Sequence, residues 1–155
     1  MQVTISFNDK ELEVEVEENA TVLGLKHRLR DKLSLQPLAQ ELEFEGFILQ
    51  NHGKTLRSYH IGDNAKIVLR ELFGISIHVV KQDHKDGKPD PQFPISVHKE
   101  NTIGFLKEML SIKYGVEFTH MKLGLSSMWN NNLHDSTKIG AYNLRDTSIL
   151  YAFEM

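Results

Sequence analysis

The chain contains an internal repeat, and this repeat constrains its fold more than any other feature. The segment TVLGLKHRL at residues 21–29 returns as TIGFLKEML at residues 102–110, an offset of 81 residues. In each copy a threonine able to cap a helix precedes apolar residues spaced three or four apart. This spacing predicts two equivalent helices, over residues 21–33 and 102–114.

The similarity continues downstream of the helices. The matched positions are apolar or aromatic in both copies: Leu56 and Ile139, Tyr59 and Tyr142, Ile61 and Leu144, and in the last strands Ile67 and Leu69 with Ile149 and Tyr151. A repeat that covers most of 155 residues favours two small cores over one larger core. We therefore predict two domains, 1–73 and 74–155.

The order of elements is the same in both copies. Residues 2–7 and 11–17 alternate in period two around Asn8-Asp9-Lys10, which predicts a β-hairpin. Its predicted inward residues are Val3, Ile5, Leu12, Val14 and Val16. Further strands are predicted at 41–45 and 65–71, and in the second copy at 75–81, 94–99, 121–125 and 148–153. The expected fold class is α+β, with each domain a mixed sheet packed on one helix.

The first copy also carries a set of motifs that recur in a known protein family. The residues that carry the similarity are Met1-Gln2-Val3, Ala20-Thr21-Val22, Lys26, Asp31-Lys32, Pro37, Gly46 and the segment GKTLRSYHI at residues 53–61. That last segment closely resembles Gly-Arg-Thr-Leu-Ser-Asp-Tyr-Asn-Ile of ubiquitin. The resemblance covers residues 1–72, and the second copy shows it through the Thr102 helix and Ala141-Tyr-Asn-Leu144. It implies two tandem ubiquitin-like β-grasp domains.

The chain departs from the conjugated members of this family. Those proteins end in a flexible tail closing with two glycines, because glycine lets the backbone thread the narrow channel of an activating enzyme. The sequence ILYAFEM at residues 149–155 is strand-like, no Gly-Gly pair occurs, and the junction carries the single Gly74. We therefore expect a protein that is not conjugated, with a short connector that makes the two domains a fairly rigid pair.

A second departure concerns the apolar patch on which ubiquitin receptors dock. By alignment Glu43 and Arg70 occupy two of its positions, and Gly124 and Ala152 are the approximate equivalents in the second copy. Burial of apolar area contributes about 25 cal/mol per Å², and two charges remove most of that contribution. Generic ubiquitin receptors are therefore expected not to bind.

Two turns supply candidate interaction residues. Phe47 and Ile48 lie beside the altered patch, and we expect them to contact either a partner or the second domain, whereas Leu49 matches a core position. Met128 and Trp129 occupy the corresponding turn of the second copy, where the choice is again between a partner contact and internal packing. Partner contact predicts that Trp129→Ala weakens capture of the partner with little loss of thermal stability.

Residues for chemistry are scarce. The absence of cysteine excludes disulfides, thiolate metal sites and a thiol nucleophile. The eight histidines lack the ligand spacing of a zinc site, although His78 and His98 fall on the two strands of one hairpin and are expected to face each other. No serine sits in a nucleophile-elbow motif. We expect no enzymatic activity, no metal, no cofactor and no small-molecule substrate.

The charge balance and the N-terminus limit the partners and the location. The net charge is −3 and the 18 Lys and Arg are scattered, so nucleic acid is not an expected partner. Residues 1–7 alternate like a strand rather than a signal peptide, and no apolar run of about 18 residues is present. We expect no membrane association and a cytoplasmic location, with the cytoskeleton, the cilium and the nucleus left open.

The leading functional hypothesis is a non-conjugated tandem ubiquitin-like protein that binds other proteins. It would act as an adaptor or as a structural subunit of a larger assembly. A cytoskeletal or ciliary scaffold is one version, since doublecortin-type modules share the fold. The alternatives are a ubiquitin-like modifier, and a regulator of the ubiquitin pathway that imitates a diubiquitin chain for the proteasome or an unfoldase.

Overall fold

The computed structural model describes residues 1–80, 90–126 and 133–154. The chain divides into two compact units, Met1–Leu72 and Phe73–Met155. Phe73, which the sequence prediction assigned to the first domain, begins the first strand of the second unit. Over the described residues each unit is a mixed β-sheet with one α-helix, so the predicted α+β fold is confirmed.

Unit 1, whose residues are all described, has five strands and one α-helix. They are β1 Gln2–Phe7, β2 Lys10–Glu15, α1 Val22–Leu33, β3 Gln40–Phe44, β4 Phe47–Ile48 and β5 Lys66–Glu71. The strand order is β2-β1-β5-β3-β4, in which β1 and β5 are parallel and the other pairs are antiparallel. Asn8 and Asp9 form the hairpin turn with positive φ values of 49° and 64°, as expected for a two-residue turn. Lys10 already belongs to β2, paired with Phe7.

The described part of unit 2 repeats this plan. Its elements are β6 Phe73–Val79, β7 Gln92–Val97, α2 Ile103–Tyr114, β8 Met121–Gly124 and β9 Ser148–Glu154. The strand order is β7-β6-β9-β8, with β6 and β9 parallel. Short 3₁₀ segments complete the two units: Pro37–Ala39, Arg57–Tyr59, Phe118–His120 and Ile139–Tyr142.

The two helices begin as the repeat predicted. The Thr21 hydroxyl accepts a hydrogen bond from the Gly24 amide at 3.0 Å, and the Thr102 hydroxyl accepts one from the Phe105 amide at 3.1 Å. Each satisfies a backbone donor that the first helical turn leaves unpaired. The helices end at equivalent left-handed residues, Ser34 with φ 58° and Gly115 with φ 68°.

Each unit has its own apolar core. In unit 1 the predicted inward residues Val3, Ile5, Val14 and Val16 are buried, while Leu12 is half-buried.

The structural alignment of the last strands differs from the predicted one. In β9 the residues in the core of unit 2 are Leu150 and Ala152, whereas Ile149 is exposed. The predicted alignment of Ile67 and Leu69 with Ile149 and Tyr151 is therefore wrong by one residue. Because side chains alternate along a strand, a slip of one residue exchanges the two faces of the sheet. Ala152 consequently lies in the core of unit 2 and not on a receptor-facing surface.

Candidate protein-interaction surfaces

The pairing of β3 with β5 places the charged candidates on the outer face of the unit 1 sheet. Leu42 lies opposite Leu69, and both side chains are in the core. Their neighbours along each strand point away from the core because side chains alternate. Glu43 lies opposite Val68 on β5 and opposite Ile48 on β4, so these three residues share the outer face with Arg70.

Glu43 and Arg70 form an ion pair on this face. The Arg70 Nη1 atom donates to the Glu43 Oε2 atom at 2.9 Å. The side chains are 26% and 25% exposed for Arg70 and Glu43, so the pair is partly shielded from water. A charged group that is largely buried and already paired offers little to an apolar ligand, which would have to bury both charges further.

An exposed aromatic ring follows the turn that joins β3 to β4. Phe47 follows a two-residue turn in which Glu45 and Gly46 have φ values of 50° and 86°, and its side chain is 72% exposed. Ile48 is half-buried, and Leu49 lies in the core as expected. Phe47 lies opposite Phe44, one position from the Glu43–Ile48 pair, so alternation directs its exposed ring away from the outer face, at the edge strand β4. We call Glu43, Phe47, Ile48 and Arg70 the β3–β4 surface.

The outer face of the unit 2 sheet carries aromatic and apolar side chains, whereas that of unit 1 carries an ion pair. On this face the His78 and Tyr151 rings pack edge to face with centroids 5.8 Å apart, and the exposed Ile149 lies on the same face. The expectation that His78 faces His98 is wrong, because the β6–β7 register places His78 opposite Gln92. Met128 and Trp129 lie outside the described residues, so the proposed role of this turn stays a prediction.

Comparison with protein-family models covers both units. Residues 2–71 match the model of the ubiquitin family, and residues 75–154 match a model described as a ubiquitin-like domain. The chain belongs to the ubiquitin-like family. It is a tandem member, with one domain in each unit, and the β3–β4 surface is part of its first domain.

The tandem ubiquitin-like protein also buries a lysine in each domain, a feature that sequence reasoning missed. Lys26 on α1 and Lys107 on α2 are 5% and 6% exposed. The Lys107 Nζ atom donates to the Asp135 carboxylate at 2.7 Å. The Lys26 Nζ atom instead lies 2.9 Å from the His52 Nε2 atom. The repeat of Lys at the same helix position, among residues of the buried face, was the available signal.

The two partners of these lysines occupy equivalent positions. The His52 carbonyl accepts a hydrogen bond from the Leu23 amide, and the Asp135 carbonyl accepts one from the Gly104 amide, which is the repeat equivalent of Leu23. The lysine has a histidine partner in the first domain and an aspartate partner in the second, and this difference has an electrostatic consequence. Burial lowers the pKa of Lys26, against an opposing effect of Glu41. The positive charge of Lys26, together with desolvation, lowers the pKa of His52.

The described residues contain no group of three or more His, Cys, Asp and Glu side chains placed to hold a metal ion. Over the same part of the tandem ubiquitin-like protein, neither helix is long and apolar enough to cross a membrane.

Proposed function

We propose that this protein binds other proteins without covalent attachment, as an adaptor or a structural subunit of a larger assembly, and that it has no enzymatic activity of its own. The observation that carries this proposal is the β3–β4 surface, in which a closed ion pair occupies the outer face and the exposed Phe47 stands on the edge strand of the same sheet. A generic ubiquitin receptor would have to desolvate Glu43 and Arg70, and this cost would weaken its binding. A partner that pairs its own polar groups with these charges and has a pocket for an aromatic ring would not bear that cost.

Phe47 is the side chain best suited to anchor such a partner. Large side chains that enter a pocket at the centre of an interface contribute most of the binding free energy, while the polar rim excludes water and sets the register. Here the ring projects from a tight turn whose backbone is held by pairing between Phe44 and Phe47 and between Glu43 and Ile48. A rigidly held anchor loses little conformational entropy on binding.

The junction supports action as one unit rather than as a precursor of two modifiers. A single residue, Leu72, separates the end of β5 from the start of β6. No diglycine lies there or elsewhere in the sequence. A protease that cuts behind a diglycine in an extended segment has no matching site at this junction.

Affinity capture from cell extract tests the proposed surface. Phe47→Ala should reduce recovery of specific partners by at least tenfold while leaving the melting temperature within about 2 °C, since the ring is exposed. Leu38→Ala is the matched control, because Leu38 is an even more exposed apolar side chain of the same unit, outside the β3–β4 surface. Equal loss of partners in both variants, or no loss with Phe47→Ala, would contradict the role given to this surface.

A gain-of-function variant tests the reason for excluding ubiquitin receptors. Glu43→Ile combined with Arg70→Val restores an apolar patch around Val68, so binding to a ubiquitin-interacting helix should appear by titration calorimetry. The charge-exchanged variant, Glu43→Arg with Arg70→Glu, keeps a charge pair and should not bind. If the unchanged protein binds the same helix as tightly as ubiquitin does, the proposed discrimination is wrong.

A third experiment addresses attachment. The protein expressed with an epitope tag at its N-terminus should migrate at a single mass on a denaturing gel of cell extract. A ladder of heavier species that resists denaturation would contradict non-covalent action and favour a modifier.

A further inference from the structure

Helix α2 is apolar on both of its long faces. Ile103, Leu106 and Leu110 are fully buried against the unit 2 sheet. On the opposite side Phe105 is 47% exposed and Ile112 is 85% exposed. Met109, between them in sequence, is half-buried and also packs against the unit 2 core. A helix on the surface of a domain normally has polar residues on its outer face, and a helix that is apolar all round is normally covered on both sides. We call Phe105, Met109 and Ile112 the α2 stripe.

The first domain shows that the fold does not require this stripe. The repeat aligns α1 with α2 residue by residue, and the positions equivalent to the stripe are Gly24, Arg28 and Asp31. Arg28 and Asp31 are exposed polar residues, as expected for a surface helix. The apolar outer face is therefore a property of the second domain alone, and it creates a surface that water solvates poorly.

The spacing and the flanking charges of the stripe indicate what covers it. Phe105, Met109 and Ile112 are separated by four and three residues, which is the core spacing of a coiled coil. Glu108 precedes Met109 on one flank, and Lys113 follows Ile112 on the other. Both flanking side chains are exposed. The Lys113 Nζ atom donates a long, exposed hydrogen bond of 3.4 Å to the Pro94 carbonyl, which a pair with Glu108 would replace.

These flanks are complementary to each other in one arrangement of two identical helices. In a parallel pair, a residue on the Glu108 flank faces the residue five positions later on the opposite flank of the partner helix. That residue is Lys113, so symmetry creates two Glu–Lys pairs. In an antiparallel pair related by a two-fold axis, Glu108 would face Glu108 of the other helix, and like charges would repel.

We propose that the α2 stripe binds a second copy of this chain, with the two α2 helices parallel about a two-fold axis. A closed symmetric pair uses the same patch on both copies and leaves no apolar residue of the stripe for further growth. The 12-residue helix is about 18 Å long at the standard rise per residue. An interface of this length is smaller than that of an obligate dimer, so association should depend on protein concentration.

Sedimentation velocity of the full chain tests this pairing. The weight-average mass should rise reversibly toward twice the monomer mass as concentration increases into the hundreds of micromolar. Ile112→Gln should reduce association at least tenfold with an unchanged far-UV circular dichroism spectrum, because the side chain it replaces is exposed. Leu38→Gln is the matched apolar surface variant of unit 1 and should associate like the unchanged protein. A protein that stays monomeric over this range, or that associates equally well with Ile112→Gln, overturns the proposal.

Charge exchange tests the orientation and the identity of the occupant together. Glu108→Lys alone and Lys113→Glu alone should each weaken association about tenfold at low salt, because each puts two like-charged pairs in place of two attractive ones. The double variant, Glu108→Lys with Lys113→Glu, should recover association to within about threefold of the unchanged protein. The same exchanges at the equivalent unit 1 positions, His27→Lys and Lys32→Glu, should have no effect. Failure of the double variant to recover overturns the parallel arrangement.

Discussion

Replacing His52 with aspartate should stabilise the first domain and leave the second unchanged. The second domain supplies the template, because a buried lysine there donates to the Asp135 carboxylate at 2.7 Å. In the first domain the ammonium of Lys26 is equally buried but lies 2.9 Å from the His52 Nε2 atom. A neutral imidazole accepts the hydrogen bond without compensating the charge, so His52→Asp adds a counter-ion where the lysine is already desolvated.

The expected gain is about 1 kcal/mol in the free energy of unfolding of unit 1. A hydrogen bond to a charged group contributes roughly 1.5–3 kcal/mol when it is shielded from water. The carboxylate would be largely exposed, since the Asp135 side chain is 63% exposed in the equivalent pair. Exposed ion pairs contribute about 0.2–1 kcal/mol. The expected gain in the free energy of unfolding therefore lies between this value and that of a shielded pair.

Native-state hydrogen exchange of the full chain measures the two domains separately. Amides of α1 should exchange about fivefold more slowly in His52→Asp, while amides of α2 should be unchanged. His52→Asn is the matched control, because it offers a neutral acceptor and should give less than half of the effect. Equal slowing in Asn and Asp, or slowing of both helices, would refute the assignment of the gain to the missing negative charge.

The same contact makes the first domain sensitive to mild acid. The pKa of His52 is lowered from its ordinary value of 6.5, chiefly by the charge of Lys26. Between pH 6.5 and the lower folded-state pKa, the unfolded chain therefore binds more protons than the folded one, and stability falls as pH falls. Exchange of α1 amides, corrected for intrinsic rates, should accelerate through this window in the unchanged protein and not in His52→Asn. Parallel behaviour of the two proteins would show that another group is responsible.

Three further predictions follow from the comparison of the two domains. Ser34→Gly should stabilise unit 1 by about 1 kcal/mol, because glycine adopts the left-handed conformation of this helix end without a Cβ penalty. Hydrogen exchange of the α1 amides measures this gain. Gly115→Ser should have the opposite effect on α2. Phe118→Ala should destabilise unit 2 by about 3–5 kcal/mol in denaturant unfolding, since the ring is fully buried and packs against Phe93. Ile112→Ala should change that stability by less than about 0.5 kcal/mol, and a larger loss would show that the side chain is covered within its own domain.

Local patterns predicted most of the fold. Threonine caps, helical spacing and an Asn-Asp turn each depend on residues close in sequence, and the repeat showed the caps and the helical spacing twice. The last strand of unit 2 was misaligned because residues 149–153 are all apolar or aromatic, so no alternation marks the inward face. In β5, by contrast, Lys66, Val68 and Arg70 alternate with the buried Ile67 and Leu69, so the sequence shows which residues face inward.

The surfaces were predicted less completely. Glu43 and Arg70 could be placed on one face by alignment, but their ion pair depends on the strand register, which the sequence alone leaves open. A lysine on a surface helix is expected to reach water, so the burial of Lys26 was not predicted. The α2 stripe was missed because its residues read as a continuation of the buried face, and only the structure separates the two sides of the helix.

The parallel pairing of the first and last strand in each unit determines how the protein would respond to tension. If a unit is pulled by its two ends, β1 and β5 are drawn in opposite directions, so their hydrogen bonds are loaded together in shear rather than opened one after another. Three residue pairs join these strands in unit 1, while five join β6 and β9 in unit 2. Under a steady load the first domain would yield before the second, which gives the chain an ordered sequence of mechanical failure.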